Sequence, residues 1–146
     1  MIGQSIEKWD ALDKARGAFL YPSDLRRDHC VHLKVLRANR AHARILSIDT
    51  TAAQNAPGVL RVLTHVDISG LNSFGLIAAD QPVLCHDRVR FSGDAVALVM
   101  AESEQEAREA CQLIHGEYED LPAILEAREA LAPNAPRIGQ NGNLCH

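Results

Sequence analysis

Ala95-Val96-Ala97-Leu98-Val99-Met100, followed after Ala101-Glu102 by Ser103-Glu104-Gln105-Glu106-Ala107-Arg108-Glu109-Ala110-Cys111-Gln112-Leu113-Ile114, holds a strand and a helix written in two different periods. No polar residue interrupts the first run, as in an interior strand, and alternation puts Val96, Leu98 and Met100 on one face and Ala95, Ala97 and Val99 on the other. In the second run Ser103 and Glu106 form a capping box, and Glu104 and Arg108 an i,i+4 pair in the favourable order. Ala107, Ala110, Cys111 and Ile114 make one apolar stripe. Its small side chains permit close approach and would fit the small-residue face of the strand, although the sequence leaves open which face the helix meets. Gly116 is expected to end this helix, predicted over 103–115.

Outward from this pair, Val31-His32-Leu33-Lys34-Val35 alternates apolar with polar residues, the pattern of a half-buried strand. Strands are expected near 30–36, 43–49, 59–64, 88–91, 95–101 and 117–121. Thr50 is placed to cap a short helix over 51–55 that Pro57-Gly58 ends, and another short helix should run from Glu126 to Ala132. These elements predict an α+β domain with a mixed sheet and packed helices, whose core includes Ile45, Ile48, Val62, Val96, Leu98, Ala110 and Ile114. Residues 1–29 read as a lead-in arm with a turn at Tyr21-Pro22-Ser23-Asp24, 30–132 as the domain, and 133–146 as a tail rich in Pro, Gly and Asn. A tail without a closing element has the look of a module cut from a longer chain. The loop from His65 to Pro82 carries Leu71, Phe74, Leu76 and Ile77 without periodicity, as apolar surface that the rest of a longer chain would cover. Phe74, Leu76 and Ile77 are therefore expected to be partly exposed, poorly ordered or buried against a second copy of the chain, the alternative being a loop that folds back over one edge of the sheet.

Composition narrows the function. At 146 residues, 47% hydrophobic and 23% charged, the chain can bury a core without disulfide or metal staples. Aromatic residues are only 4%, so there is no platform for stacking single-stranded nucleic acid. A net charge of −4 argues against a phosphate track, and the basic clusters Arg26-Arg27, Arg37/Arg40/Arg44 and Arg88/Arg90 are short. No apolar run is long enough to span a membrane, and Glu7, Asp10 and Asp13 do not suit a secretory signal. A cytoplasmic protein that binds neither nucleic acid nor membrane is expected.

Candidate chemistry is sparse. There is no phosphate loop, dinucleotide turn, zinc helix or nucleophile elbow. Cys30, Cys85, Cys111 and Cys145 include no C-x-x-C pair, and reduced thiols are expected. His29-Cys30, Cys85-His86 and Cys145-His146 supply metal-ligand types, but neighbours on a strand point to opposite faces and rarely close on one ion. Glu117 and Glu119 share a strand face, where paired carboxylates could act as acid and base; a solvated face is the simpler reading. His42 has the residue type of a general base, yet no nucleophile or carboxylate partner is identifiable, which favours a packed or surface histidine.

Taken in order, however, the segments resemble one family. Asp10-Ala11-Leu12-Asp13-Lys14-Ala15-Arg16-Gly17, Leu36-Arg37-Ala38-Asn39-Arg40-Ala41-His42-Ala43-Arg44-Ile45, Ala56-Pro57-Gly58-Val59 and Val62-Leu63-Thr64-His65-Val66-Asp67 are similar to the opening of the molybdenum-bearing large subunit of xanthine dehydrogenases and aldehyde oxidoreductases. Pro82-Val83-Leu84-Cys85, Val89-Arg90-Phe91-Ser92-Gly93-Asp94-Ala95-Val96-Ala97-Leu98-Val99, Ala107-Arg108-Glu109-Ala110 and Glu117-Tyr118-Glu119-Asp120-Leu121-Pro122-Ala123 continue the resemblance, which spans about residues 4–146. Asn39, where many members have Pro, and Ala15-Arg16-Gly17 depart from it at positions that read as structural. Gly75-Leu76-Ile77 and Thr64-His65 look closest to prokaryotic aldehyde oxidoreductases and their xanthine dehydrogenase-like relatives.

The resemblance implies the N-terminal α/β hammerhead domain, an α+β unit that precedes the molybdopterin-binding domains. For the full enzyme it implies a molybdopterin-molybdenum centre, iron–sulfur clusters and often FAD, hydroxylating an aldehyde or a purine. The family's base and its pterin-binding residues belong to later segments, so no residue of this chain is expected to be catalytic, cofactor-binding or metal-ligating. Expected partners are the remaining molybdopterin-binding domains and the iron–sulfur and FAD subunits or domains. The competing expectation is a stand-alone protein-interaction module of the same fold.

Overall fold

In a computed structural model, which describes residues 2–25, 27–76, 78–139 and 142–144, contacts divide the chain into two units, Met1–Cys30 and Val31–His146. The first unit carries α1 (Ala11–Arg16), which Gly17 ends in the left-handed conformation at φ 71°. Asp10 and Lys14 are paired across one turn at 2.5 Å, and Lys14 also lies 4.7 Å above the Phe19 ring. The hydrogen bond with Asp10, more than any other influence, raises the Lys14 pKa. The expected turn at Tyr21 is a 3-10 turn over Pro22–Asp24, closed by the Asp24 carboxylate accepting the Tyr21 N–H at 2.9 Å.

The second unit contains β1 (His32–Arg37), β2 (Ala43–Asp49), α2 (Thr51–Gln54), β3 (Val59–Leu63), β4 (Arg88–Val89), β5 (Ala95–Ala101), α3 (Glu104–Gln112), β6 (His115–Asp120) and α4 (Ala127–Ala130). The α+β class stands. The single mixed sheet does not: the strands form two sheets, ordered β1-β5-β3 and β4-β2-β6, in which every pairing is antiparallel. A parallel pair would need a helical crossover returning to its own sheet. Here α2 carries the chain from the second sheet to the first, and α3 carries it back, so neither crossover closes a parallel pair.

The stripe of α3 settles which face of β5 it meets. Ala107, Ala110, Cys111 and Ile114 are buried against Ala97, Val99, Ala101 and Val62, with Ala53 of α2 completing the cluster. The Ser103 hydroxyl accepts the Glu106 N–H at 3.2 Å, and Arg108 meets Glu104 at 2.8 Å. The Ser103 hydroxyl in turn donates to the Glu106 carboxylate at 2.7 Å. Gly116 does not end the helix: Leu113 is its C-terminal cap, and Gly116 already lies in β6. Nor does the Thr50 side chain cap α2, because Asp49 Oδ1 accepts the Thr51 N–H instead at 2.9 Å.

A second cluster, Ala38, Cys85, Val89 and Val96, is joined by Ile45, Ile48 and Tyr118. Of the expected core, Val62, Val96, Ala110 and Ile114 are buried, whereas Ile45, Ile48 and Leu98 are only half-buried. Ile45 and Ile48 are three apart, yet both reach this cluster, because the β2–β6 register slips at Leu46 and resets the alternation. Leu98 lies on the face of β5 turned away from α3.

Candidate functional site

A groove of about 730 Å³ in the second unit is lined by Ile45–Ile48 of β2, Thr50 and Gln54 at α2, Leu60–Val62 of β3, Thr64–Asp67 and His86. Its rim is held by a 3-10 turn over His65–Asp67, in which the Asp67 carboxylate accepts the Thr64 N–H at 2.8 Å and the Arg61 guanidinium at 2.9 Å. Those two bonds, the backbone one foremost, keep the Asp67 pKa below its ordinary value. The Asp49 carboxyl is lowered in the same way by its bonds to Thr51, the side-chain one first. His65 and His86 face each other across the groove with ring centroids 5.7 Å apart, and both are exposed.

His86 Nδ1 lies 3.6 Å from the Asp87 carboxylate. No group of three or more His, Cys, Asp or Glu side chains suited to a metal occurs among the described residues. The buried side-chain polar atoms without a partner, among the described residues, are Asp10 Oδ1 and His42 Nε2, and neither lines the groove.

The other candidates lie apart from the groove. His42 is buried; its Nδ1–H donates to the Pro122 carbonyl at 2.7 Å, and its own carbonyl accepts the Leu121 N–H, so it ties the start of β2 to the end of β6. Glu117 accepts from Ser47 at 3.0 Å and Glu119 from Arg44 at 2.8 Å on the exposed face of the second sheet, a solvated strand face. Arg40 pairs with Asp120 at 3.7 Å and lies over the Tyr118 ring, and Arg37 donates to the Gly93 carbonyl. Arg37, Arg40 and Arg44 are thus committed to separate partners rather than to one track; Arg26 lies outside the described residues.

Two of the thiols are buried. Burial, with the nearby Asp94 carboxylate second, pushes the Cys85 pKa up to about 12, and burial also raises Cys111, whose thiol donates to the Lys34 carbonyl at 3.7 Å. Cys30 is exposed, and Cys145 and His146 lie outside the described residues.

Sequence reasoning missed two features. Asn72 clamps the long loop by donating to the Leu84 carbonyl at 2.7 Å and accepting the Val83 and Leu84 N–H groups at 3.1 Å, and Asn143 pins the tail through Ala130, Pro136 and Ile138. An Asn in a loop is a general turn signal, and nothing in its spacing names such distant carbonyls. The second is β1, whose pattern is inverted: the apolar Val31, Leu33 and Val35 are exposed, while His32, Lys34 and Leu36 are half-buried. In the long loop Phe74 and Leu76 are exposed as expected, Leu76 completely, and Leu71 is exposed as well; Ile77 lies outside the described residues.

Residues 16–122 match the family described as aldehyde oxidase and xanthine dehydrogenase, a/b hammerhead domain. The chain is 44% identical over 137 residues to a probable xanthine dehydrogenase subunit of Bacillus subtilis, covering 94% of itself and 18% of that protein. It is 35% identical to the nicotinate dehydrogenase large molybdopterin subunit of Eubacterium barkeri, covering 99% of itself and 34% of that protein. Superposed on the aldehyde oxidoreductase of Desulfovibrio desulfuricans, 97% of the chain aligns with 17% of that chain at a TM-score of 0.86 and 33% identity. The chain therefore spans well under half the length of these relatives.

Proposed function

This chain belongs to the aldehyde oxidase and xanthine dehydrogenase family, to its a/b hammerhead domain, and from that premise we propose that it is a structural, non-catalytic part of a molybdenum-dependent hydroxylase large subunit. The observation that carries this reading is the match of nearly the whole chain to only 18% of one relative and 17% of another. The molybdopterin-molybdenum centre, with iron–sulfur clusters and often FAD to carry electrons away, then belongs to the rest of the enzyme, where it oxidises a C–H bond. The described residues do not fit such groups: no cluster of three or more His, Cys, Asp or Glu side chains suited to a metal occurs among them, and Cys85 and Cys111 are buried in the core. We assign 30–132 to the hammerhead, with 1–29 as the arm and 133–146 as the tail toward the molybdopterin-binding domains. Partners are those domains and the iron–sulfur and FAD subunits.

A chimera tests this reading. This chain replaces the aligned 17% of the Desulfovibrio desulfuricans aldehyde oxidoreductase, and molybdenum content and aldehyde turnover are measured. A structural domain leaves a soluble, molybdenum-loaded enzyme that oxidises the parent's aldehydes. A folded chimera that cannot retain molybdenum or turn them over would count against the reading.

A further inference from the structure

The β1-β5-β3 sheet is covered by α3 on one face only. On the other face the cross-strand partners Leu33 and Met100, Val35 and Leu98, and Leu63 and Leu98 form an aliphatic strip, with Leu33 58% and Val35 39% exposed and the other three half-buried. The helix side of the same sheet receives His32 and Lys34, whose charges lie close enough to Glu104 on α3 to help lower its pKa after Arg108. The arrangement thus puts the polar residues of β1 toward α3 and the apolar ones toward solvent, the reverse of what burial favours in a free-standing domain. The charged side chains bordering the strip are already bound: the guanidinium of Arg61, opposite Met100, to Asp67, and that of Arg37, at the end of β1, to the Gly93 carbonyl.

We propose that this face is a docking surface, and that its occupant is the molybdopterin-bearing remainder of the large subunit, packing through an aliphatic surface of its own. The proposal rests on the function proposed above and adds which face makes the contact. The occupant follows from two facts. The strip itself is aliphatic and offers no charge with which to recognise a nucleic acid or an acidic ligand. The sheet aligns with a chain of which it is part of only 17%, so most of that polypeptide remains to cover it.

The test uses Leu33→Glu with Val35→Glu, in the 146-residue chain and in the chimera. Both positions are exposed, so the thermal midpoint of the chain by itself should stay unchanged. In the chimera the carboxylates would be buried unpaired, and the yield of soluble, molybdenum-loaded enzyme should drop roughly tenfold or more. Leu33→Ile, which keeps the face apolar, should restore the yield when it replaces the glutamate at 33 in a chimera with native Val35. A double-glutamate chimera that assembles as well as the unsubstituted one overturns the proposal, whereas an unsubstituted chimera that fails to assemble overturns the functional reading instead. A concentration-dependent dimer of the chain by sedimentation, abolished by the same pair, would assign the face to a second copy and also overturn the proposal.

Discussion

Gly58 shows how much one residue can be asked to do in this fold. Its φ of +70° is left-handed, and a Cβ there would collide with the Glu106 carboxylate, itself bonded to Ser103. Gly58→Ala should therefore destabilise the chain by about 1–2 kcal/mol from the backbone alone, read as a fall in the denaturant midpoint. Asp67 gives a pH effect of definite sign. Its folded pKa is depressed, so its contribution is present above the unfolded value near 4 and is lost as pH falls through the lower folded value. Asp67→Asn should flatten the acid side of the stability profile, and an unchanged slope would contradict the assignment. At this scale the sequence was least legible. Asp49 rather than Thr50 caps α2, since two neighbouring side chains of similar capping strength compete and local backbone angles choose between them.

At the scale of elements, β5 and α3 were legible because their periods are uninterrupted and the capping signal is local. Ile114→Ala should cost roughly 2–5 kcal/mol if the neighbouring alanines cannot collapse into the space, and Ser103→Ala about 1 kcal/mol, both by denaturant melts. A loss below the cost of a surface substitution at Ile114 would mean that α3 does not pack as described. Strand existence could be read from alternation, but strand phase could not. The slip at Leu46 brings Ile45 and Ile48 to one cluster, a second slip at Leu60 lets Val59 and Val62 both serve the α3 side, and β1 turns its apolar residues outward. Bulges and the packing of each sheet face are long-range facts that a local period does not record.

For the whole molecule, the family was legible through the order of many weak motifs, while the division into two antiparallel sheets was not, because it depends on where each helix delivers the next strand. Of the candidate site, the shared strand face of Glu117 and Glu119 was legible from alternation; in the fold those two carboxylates pair with a neighbouring strand, Cys85 and Cys111 sit in the core, and His42 donates through Nδ1 to a carbonyl while its buried Nε2 has no hydrogen-bond partner, a placement no local pattern records. If the domain is structural by itself, its chemistry must come from elsewhere in the enzyme. The direct measurement is metal analysis of the purified chain by mass spectrometry together with aldehyde and purine oxidation using an artificial electron acceptor. The account predicts no stoichiometric molybdenum, iron or zinc and no turnover; one metal per chain accompanied by substrate oxidation would contradict it.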